Sequence, residues 1–166
     1  MAKVVYTVGD DVSTDVIYPG RYMATVLATE TPQYAFVDDV EFSAKLNGGK
    51  VPKGSVLVAG KNFGCGSSRE QAVSCLKGWE FTIVAASFAR IFLQNAINLG
   101  LDVVSAPDIE ASEGDDLEIA KQEVVNKTTG KSFTVQPLPR SFQAIIDAGG
   151  LIPYTRKRVL EAAGKA

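Results

Sequence analysis

Apolar positions along the chain fall into short runs separated by glycines and polar turns. Lys3 to Val8 is short and β-branched, which predicts a strand. A polar loop from Gly9 to Asp15 follows, then Val16-Ile17-Tyr18 before a stop at Pro19-Gly20. Residues 21–50 are mixed and carry only weak helical periodicity. Ser55 to Ala59 is a continuous apolar run of strand length, as expected for a strand covered on both faces. A glycine-rich turn comes next. Beyond it a helix is predicted through Lys77, with Ala72, Val73 and Leu76 on its apolar face and Gly78 as C-cap. Phe81 to Ala86 repeats the buried-strand pattern. Ser87 stands where it would cap a second helix, whose Phe88, Ile91, Phe92, Asn95, Ala96 and Leu99 recur at helical spacing until Gly100. Val103-Val104 is a further short strand.

Strand, helix, strand, helix, strand implies parallel strands with right-handed crossovers, an α/β arrangement. The last third reads differently. Glu123 to Val125 and Ser132 to Val135 flank a loop ending in Gly130, the pattern of an antiparallel hairpin. Pro139 to Ala148 is helical, stopped by Gly149-Gly150. The expected fold is α/β with a mostly parallel core and a C-terminal hairpin, and residues 1–166 are read as a single domain.

Composition narrows the function. Hydrophobic residues at 46% and charged residues at 22% suit a folded domain. The net charge is −2, and the basic cluster Arg156-Lys157-Arg158 reads as the solvated end of a terminal helix, so no nucleic-acid footprint is expected. Histidine is absent, which removes Ser–His and Cys–His pairs and histidine metal ligands. Two cysteines, Cys65 and Cys75, make neither a zinc spacing nor a disulfide framework. No metal site is expected on this chain. There is no signal-peptide core and no apolar run near the roughly 20 residues that span a bilayer. No membrane contact and a cytoplasmic location are the expectation.

The turn Gly60-Lys61-Asn62-Phe63-Gly64-Cys65-Gly66-Ser67-Ser68-Arg69-Glu70 follows a strand and opens a helix. Glycines permit positive φ and close approach of backbone to a ligand. The first N–H groups of a helix lack intrahelical partners and, with the helix dipole, favour an anion. Two hydroxyls and a guanidinium stand at that point, and Arg69 can grip a carboxylate with two parallel hydrogen bonds. A small carboxylate is the expected ligand. The competing reading is purely structural. Ser67-x-x-Glu70 and Ser68-x-x-Gln71 both match a capping box, leaving Arg69 solvated. Neither a phosphate-cradling motif nor a nucleophile elbow is present.

Asn62 to Glu70 resembles the signature loop of aconitase-type dehydratase small subunits. Ser87 to Phe92, Asn95 and Gly100-Leu101 resemble the family's next helix, and Gly9-Asp10, Ser13 to Ile17 and Pro19 to Tyr22 its N-terminal loop. The resemblance covers most of residues 4–101, and the compact length with Glu70-Gln71 is similar to the shorter archaeal-type small subunits. It implies the swivelling β/β/α domain of aconitase-type enzymes and one half of a hydro-lyase. That enzyme would interconvert 2-isopropylmalate and 3-isopropylmalate by dehydration and rehydration, in leucine biosynthesis. Homoaconitate, citraconate/2-methylmalate or 2,3-dimethylmalate are alternative substrates, and a non-catalytic anion-binding or regulatory module is the reading from a different class.

Position by position, the resemblance makes Ser67 the base that removes the substrate proton. Ser68 and Arg69 hold substrate carboxylate, and Asp15 lines the site. Tyr22, Met23, Ala24, Thr25 and Val26 occupy the specificity loop. With no arginine beyond Tyr22, that loop suits a partly apolar side chain, while the direction of Arg21 is open. A [4Fe–4S] cluster of this class takes three cysteines, so the resemblance implies that a separate large subunit carries it. Cys65 lies near the cluster or is a small buried hydrophobe, and Cys75 belongs to the core. Arg90 serves an ion pair or an interface, or it faces the shared site.

Overall fold

The computed structural model describes residues 1–164. In chain order the elements are β1 (Ala2–Val8), α1 (Thr14–Ile17), α2 (Val40–Asn47), β2 (Val56–Ala59), α3 (Glu70–Gly78), β3 (Thr82–Ala85), α4 (Arg90–Leu99), β4 (Asp102–Ser105), β5 (Asp116–Ile119), β6 (Glu123–Asn126), β7 (Ser132–Thr134), α5 (Arg140–Asp147) and α6 (Leu151–Ala162). The mixed stretch contributes two 3₁₀ turns, Gly20–Tyr22 and Thr31–Tyr34, before α2. Every strand and helix expected from the apolar runs is present.

One sheet runs in the order β4-β3-β2-β1-β5-β6-β7. The pairs β1–β2, β2–β3 and β3–β4 are parallel, as the alternation required. The expected hairpin β6–β7 is antiparallel and is extended by β5, which joins it to β1. After β7 the chain returns to the far edge: Gln136 N donates to Ser105 O at 2.8 Å. The antiparallel half thereby curls over one face of the parallel half, where Val4, Val56, Val58 and Val84 pack with Leu117, Val124 and Val135. The other face carries the helices. Leu57, Ala59, Ile83 and Ala85 meet Ala72, Val73, Leu76, Phe92, Ala96 and Ile97 there. Alternate residues of β2 and β3 thus serve two cores, which is why both strands read as unbroken apolar runs.

Two expected caps are corrected. Gly78 is the last residue of α3 and not its C-cap, and a Cβ there would stand 2.2 Å from Pro32 Cγ, so its missing side chain serves packing. Ser87 does not cap α4. The N-cap is Ala89, without a side-chain bond, while Ser87 Oγ accepts from Asn62 N at 2.9 Å. Gly100 ends α4 in the left-handed conformation as expected. The basic cluster 156–158 is exposed on α6. Among the described residues no helix is long and apolar enough to cross a membrane.

Candidate active site

The loops that leave the C-terminal ends of β1, β2 and β3 meet at one end of the parallel half, the end at which open α/β sheets bind ligands. The first two are laced together. Asp11 N donates to Lys61 O, Gly64 N to Val12 O and Thr14 N to Cys65 O, each at 2.8 Å. Side chains reinforce the lacing: Lys61 N donates to Asp10 Oδ1 at 2.7 Å and Asn62 Nδ2 to Asp11 Oδ1 at 2.8 Å. The third loop joins through Phe63, whose N–H donates to Ser87 O at 3.0 Å and whose carbonyl accepts from Ala89 N at 2.9 Å. Phe63 is fully buried, edge-on to Phe92 with ring centroids 5.2 Å apart.

The two glycines of the bend have different uses. Gly64 is buried, with φ +81°, and a Cβ there would lie 2.2 Å from Phe92 Cγ. It lets the loop lie on α4. Gly66, with φ +95°, is exposed and leaves the backbone ahead of Ser67 open.

Ser67 and Ser68 are exposed, and Arg69 is half-buried at the N-cap of α3. The capping-box reading is overturned. No side chain caps α3, since the helix begins only at Glu70, and Ser67 is drawn instead toward Thr14. The first-turn N–H groups of α3 therefore keep the electropositive end that a capping serine would have occupied. Asn95 Nδ2 donates to Ser68 O at 3.3 Å, tying the turn to α4.

Arg69 and Asp15 come together as partners. Arg69 Nη1 donates to Asp15 Oδ1 and, at 3.4 Å, to Tyr18 O, while Gly20 N donates to the same Asp15 oxygen at 3.2 Å. The hydrogen bond from Arg69 holds the Asp15 carboxyl below its ordinary range. Arg69 Nε is buried without a partner among the described residues, so the guanidinium retains unmet donor capacity.

The residues expected to form a specificity loop, Tyr22 to Val26, lie along this flank. Gln71 Nε2 donates to Met23 O at 3.4 Å, and Tyr18 OH donates to Tyr22 O at 3.1 Å. Tyr22 stacks on Tyr34 at 4.2 Å, while Met23, Ala24 and Val26 are exposed and Thr25 is half-buried. Arg21 turns to Asp38, with its guanidinium 4.8 Å over the Tyr22 ring. A cavity of about 540 Å³ beside Asp15 is lined by Tyr6, Val16, Phe36, Asp38 and Asp39. Three carboxylates on its wall make it unsuitable for an anionic acid.

Thr14, which the sequence places in the N-terminal loop without a role of its own, also reaches the site. It is 1% exposed, and its hydroxyl reaches the backbone and side chain of Ser67, 53 positions later. Its place between Ser13 and Asp15 is visible in the sequence, but nothing in the spacing links it to Ser67.

The cysteines do not suit an iron–sulfur cluster, which is held by several cysteine thiolates. Cys75 is fully buried, its thiol pushed up by desolvation and donating to Ala72 O at 3.2 Å. Only Cys65 is partly accessible, and it donates to Asp11 O at 3.3 Å. Among the described residues no group of three metal-ligating side chains exists.

Residues 11–107 match the family described as the Aconitase C-terminal domain, a span that contains the loops after β2 and β3 and, from Asp11 on, the loop after β1. Over 160 residues the chain is 44% identical to the 3-isopropylmalate dehydratase small subunit of Moorella thermoacetica, covering 93% of each chain. It is 42% identical over 164 residues to the isopropylmalate/citramalate isomerase small subunit of Methanocaldococcus jannaschii, covering 95% of each. The crystal structure of 3-isopropylmalate dehydratase from M. jannaschii superposes with a TM-score of 0.88 at 40% identity, over 99% of this chain and 98% of that one. With matching fold and length, this chain belongs to the aconitase C-terminal domain family, and it is similar over nearly its whole length to relatives named as small subunits of 3-isopropylmalate dehydratase.

Proposed function

We propose that the chain is the small subunit of a hydro-lyase that interconverts 2-isopropylmalate and 3-isopropylmalate by removing and re-adding water, in leucine biosynthesis. The observation that carries the reading is the uncapped N-terminus of α3, with Ser67 and Ser68 exposed ahead of it and Arg69 at its N-cap position. Relatives 42–44% identical over more than nine tenths of the chain bear names of this activity.

Each side chain has a distinct task. Ser67 Oγ takes the proton from the carbon beside a substrate carboxylate and returns it on rehydration. A serine hydroxyl ionises for this purpose only where positive charge stabilises the oxygen, and the α3 dipole with Arg69 supplies it. Ser68 and Arg69 hold the carboxylate. Asp15 pre-aims Arg69, whose remaining donors meet the substrate. The exposed apolar surface of Met23 and Val26 suits an isopropyl group, and Arg21, already paired with Asp38, leaves no free guanidinium there for a further carboxylate.

The chain's cysteines do not fit the cluster that the family uses, so we place the [4Fe–4S] cluster on a large-subunit partner that also covers the exposed serines. In this reading residues 1–166 act as one swivelling domain against that partner, in the cytoplasm. Reconstitution with the large subunit tests the reading: wild-type complex should turn over isopropylmalate, and Ser67→Ala should assemble but lose turnover. Assembly with unchanged turnover would remove Ser67 from the chemistry. A second substrate, 2-methylmalate, is favoured by the M. jannaschii relative whose name includes citramalate. Comparing kcat/KM for the two acids on the same complex decides between them.

A further inference from the structure

We propose that Thr14 is a positioning residue for Ser67, its hydroxyl re-aiming from the Ser67 carbonyl to Ser67 Oγ when that oxygen becomes anionic. The proposal rests on reading Ser67 as the base. Ser67 N donates to Thr14 Oγ1 at 3.2 Å, and the same Oγ1 lies 3.2 Å from Ser67 O and 3.3 Å from Ser67 Oγ. A threonine hydroxyl has one proton and two lone pairs. The Ser67 N–H occupies one lone pair, so the proton serves either the carbonyl or the side-chain oxygen of the same residue.

With Ser67 neutral, the carbonyl takes the Thr14 proton, and the Ser67 hydroxyl donates back into the second lone pair. With Ser67 ionised, the charged acceptor wins, because a hydrogen bond to an ionised oxygen is about twice as strong as a neutral one. No covalent bond breaks. The proton stays on Thr14 Oγ1, and only its acceptor changes. The rotor's base is held by two backbone bonds: Thr14 N donates to Cys65 O at 2.8 Å and Tyr18 N to Thr14 O at 2.9 Å. Thr14 is 1% exposed, so little bulk water reaches this threonine to compete for the proton. The charged and titratable groups around the pair are Asp15 and Arg69, locked to each other, Cys65, whose thiol is held by Asp11 O, Asp11 itself and Glu70 of α3.

The test uses the complex reconstituted with its large subunit and reads kcat, KM and the pH profile of kcat/KM for Thr14→Val, Thr14→Ala and Thr14→Ser, beside Ser67→Ala. Removing a single oxyanion donor typically costs about 100- to 1000-fold in kcat, and the 3.3 Å separation puts Thr14→Val at about 10- to 100-fold. The acid limb should move up by about one pH unit, with KM within about twofold, since the ionised base is what loses its partner. Thr14→Ser keeps the hydroxyl and should keep the limb in place. An unmoved limb in Thr14→Val or Thr14→Ala overturns the proposal, as does a Thr14→Ser limb displaced as far as that of Thr14→Val. Failure of both hydroxyl-less variants to join the complex also overturns it, because Thr14 would then be structural only. Full turnover by Ser67→Ala would sink the base assignment beneath it, whereas a dead Ser67→Ala beside a normal Thr14→Val sinks only the inference about Thr14.

Discussion

Replacing Gly64 by alanine perturbs the bend on which Ser67 is mounted, and the structure lets its two costs be separated. At φ +81° an L-residue pays about 1–2 kcal/mol for the left-handed conformation. The new Cβ would meet Phe92 Cγ at 2.2 Å, Cδ2 at 2.4 Å and Cβ at 2.5 Å. Phe92 is 2% exposed and wedged beside Phe63, so it yields only by straining the core, at about 1–3 kcal/mol. The sum is about 2–5 kcal/mol, and at about 2–4 °C per kcal/mol for a chain of this size the melting temperature should fall by about 4–20 °C. Gly130→Ala is the internal control. Its φ is +77°, but no atom lies within 4 Å of the added carbon, so it carries the conformational cost alone. Thermal unfolding followed by circular dichroism on both variants then isolates the Phe92 contact. Because Gly64 N also bonds Val12 O, the same substitution should displace Ser67 and lower turnover of the complex by at least about tenfold. A Gly64→Ala protein that melts within about 2 °C of wild type, or no lower than Gly130→Ala, would refute the reasoning.

Three other outcomes are expected. Arg69→Lys replaces a fork by a point charge that cannot hold Asp15 and a second carboxylate together, so KM should rise about 10- to 100-fold in the assembled complex; an unchanged KM would count against the substrate role. Asp39 caps α2 through Phe42 N at 2.9 Å and accepts from Tyr6 OH at 2.6 Å, and Asp39→Ala should cost about 2–3 kcal/mol at pH 7 in urea unfolding. The Phe42 N–H and the Tyr6 hydroxyl hold the Asp39 carboxyl below its ordinary value, so its stabilisation is present above about pH 4 and is lost as pH falls through the depressed value. The gap between wild type and variant should narrow there, and a gap independent of pH would argue against a charged Asp39. A thiol reagent applied to the folded chain should label Cys65 and spare Cys75 until the chain unfolds, and equal native labelling rates would contradict the buried placement of Cys75.

The parallel half and its helices were legible because each of their signals is local. β2 and β3 are apolar on both faces, so the run itself marks them, and α4 declares its apolar stripe over ten residues and its glycine stop directly after them. β5 was not legible. Asp116-Leu117-Glu118-Ile119 is short and half charged, and it becomes a strand only because β1 and β6 offer their edges. The serine caps failed for a related reason. Ser67, Ser68 and Ser87 each satisfy a local rule, but cross-loop hydrogen bonds claim Ser67 and Ser87 and delay both helix starts.

The order of residues by itself determined that Gly64 to Arg69 would be a bend opening a helix, and that two hydroxyls and a guanidinium would stand at its mouth. What each of those groups faces was decided only when β1 and β2 paired side by side. That pairing set the loop after β1 against the loop after β2, bringing Thr14 to Ser67 and Asp15 to Arg69 across 53 and 54 positions of chain. Hydrogen bonds depend on tenths of an ångström and on direction, and sheet register supplies both, whereas distance along the chain supplies neither.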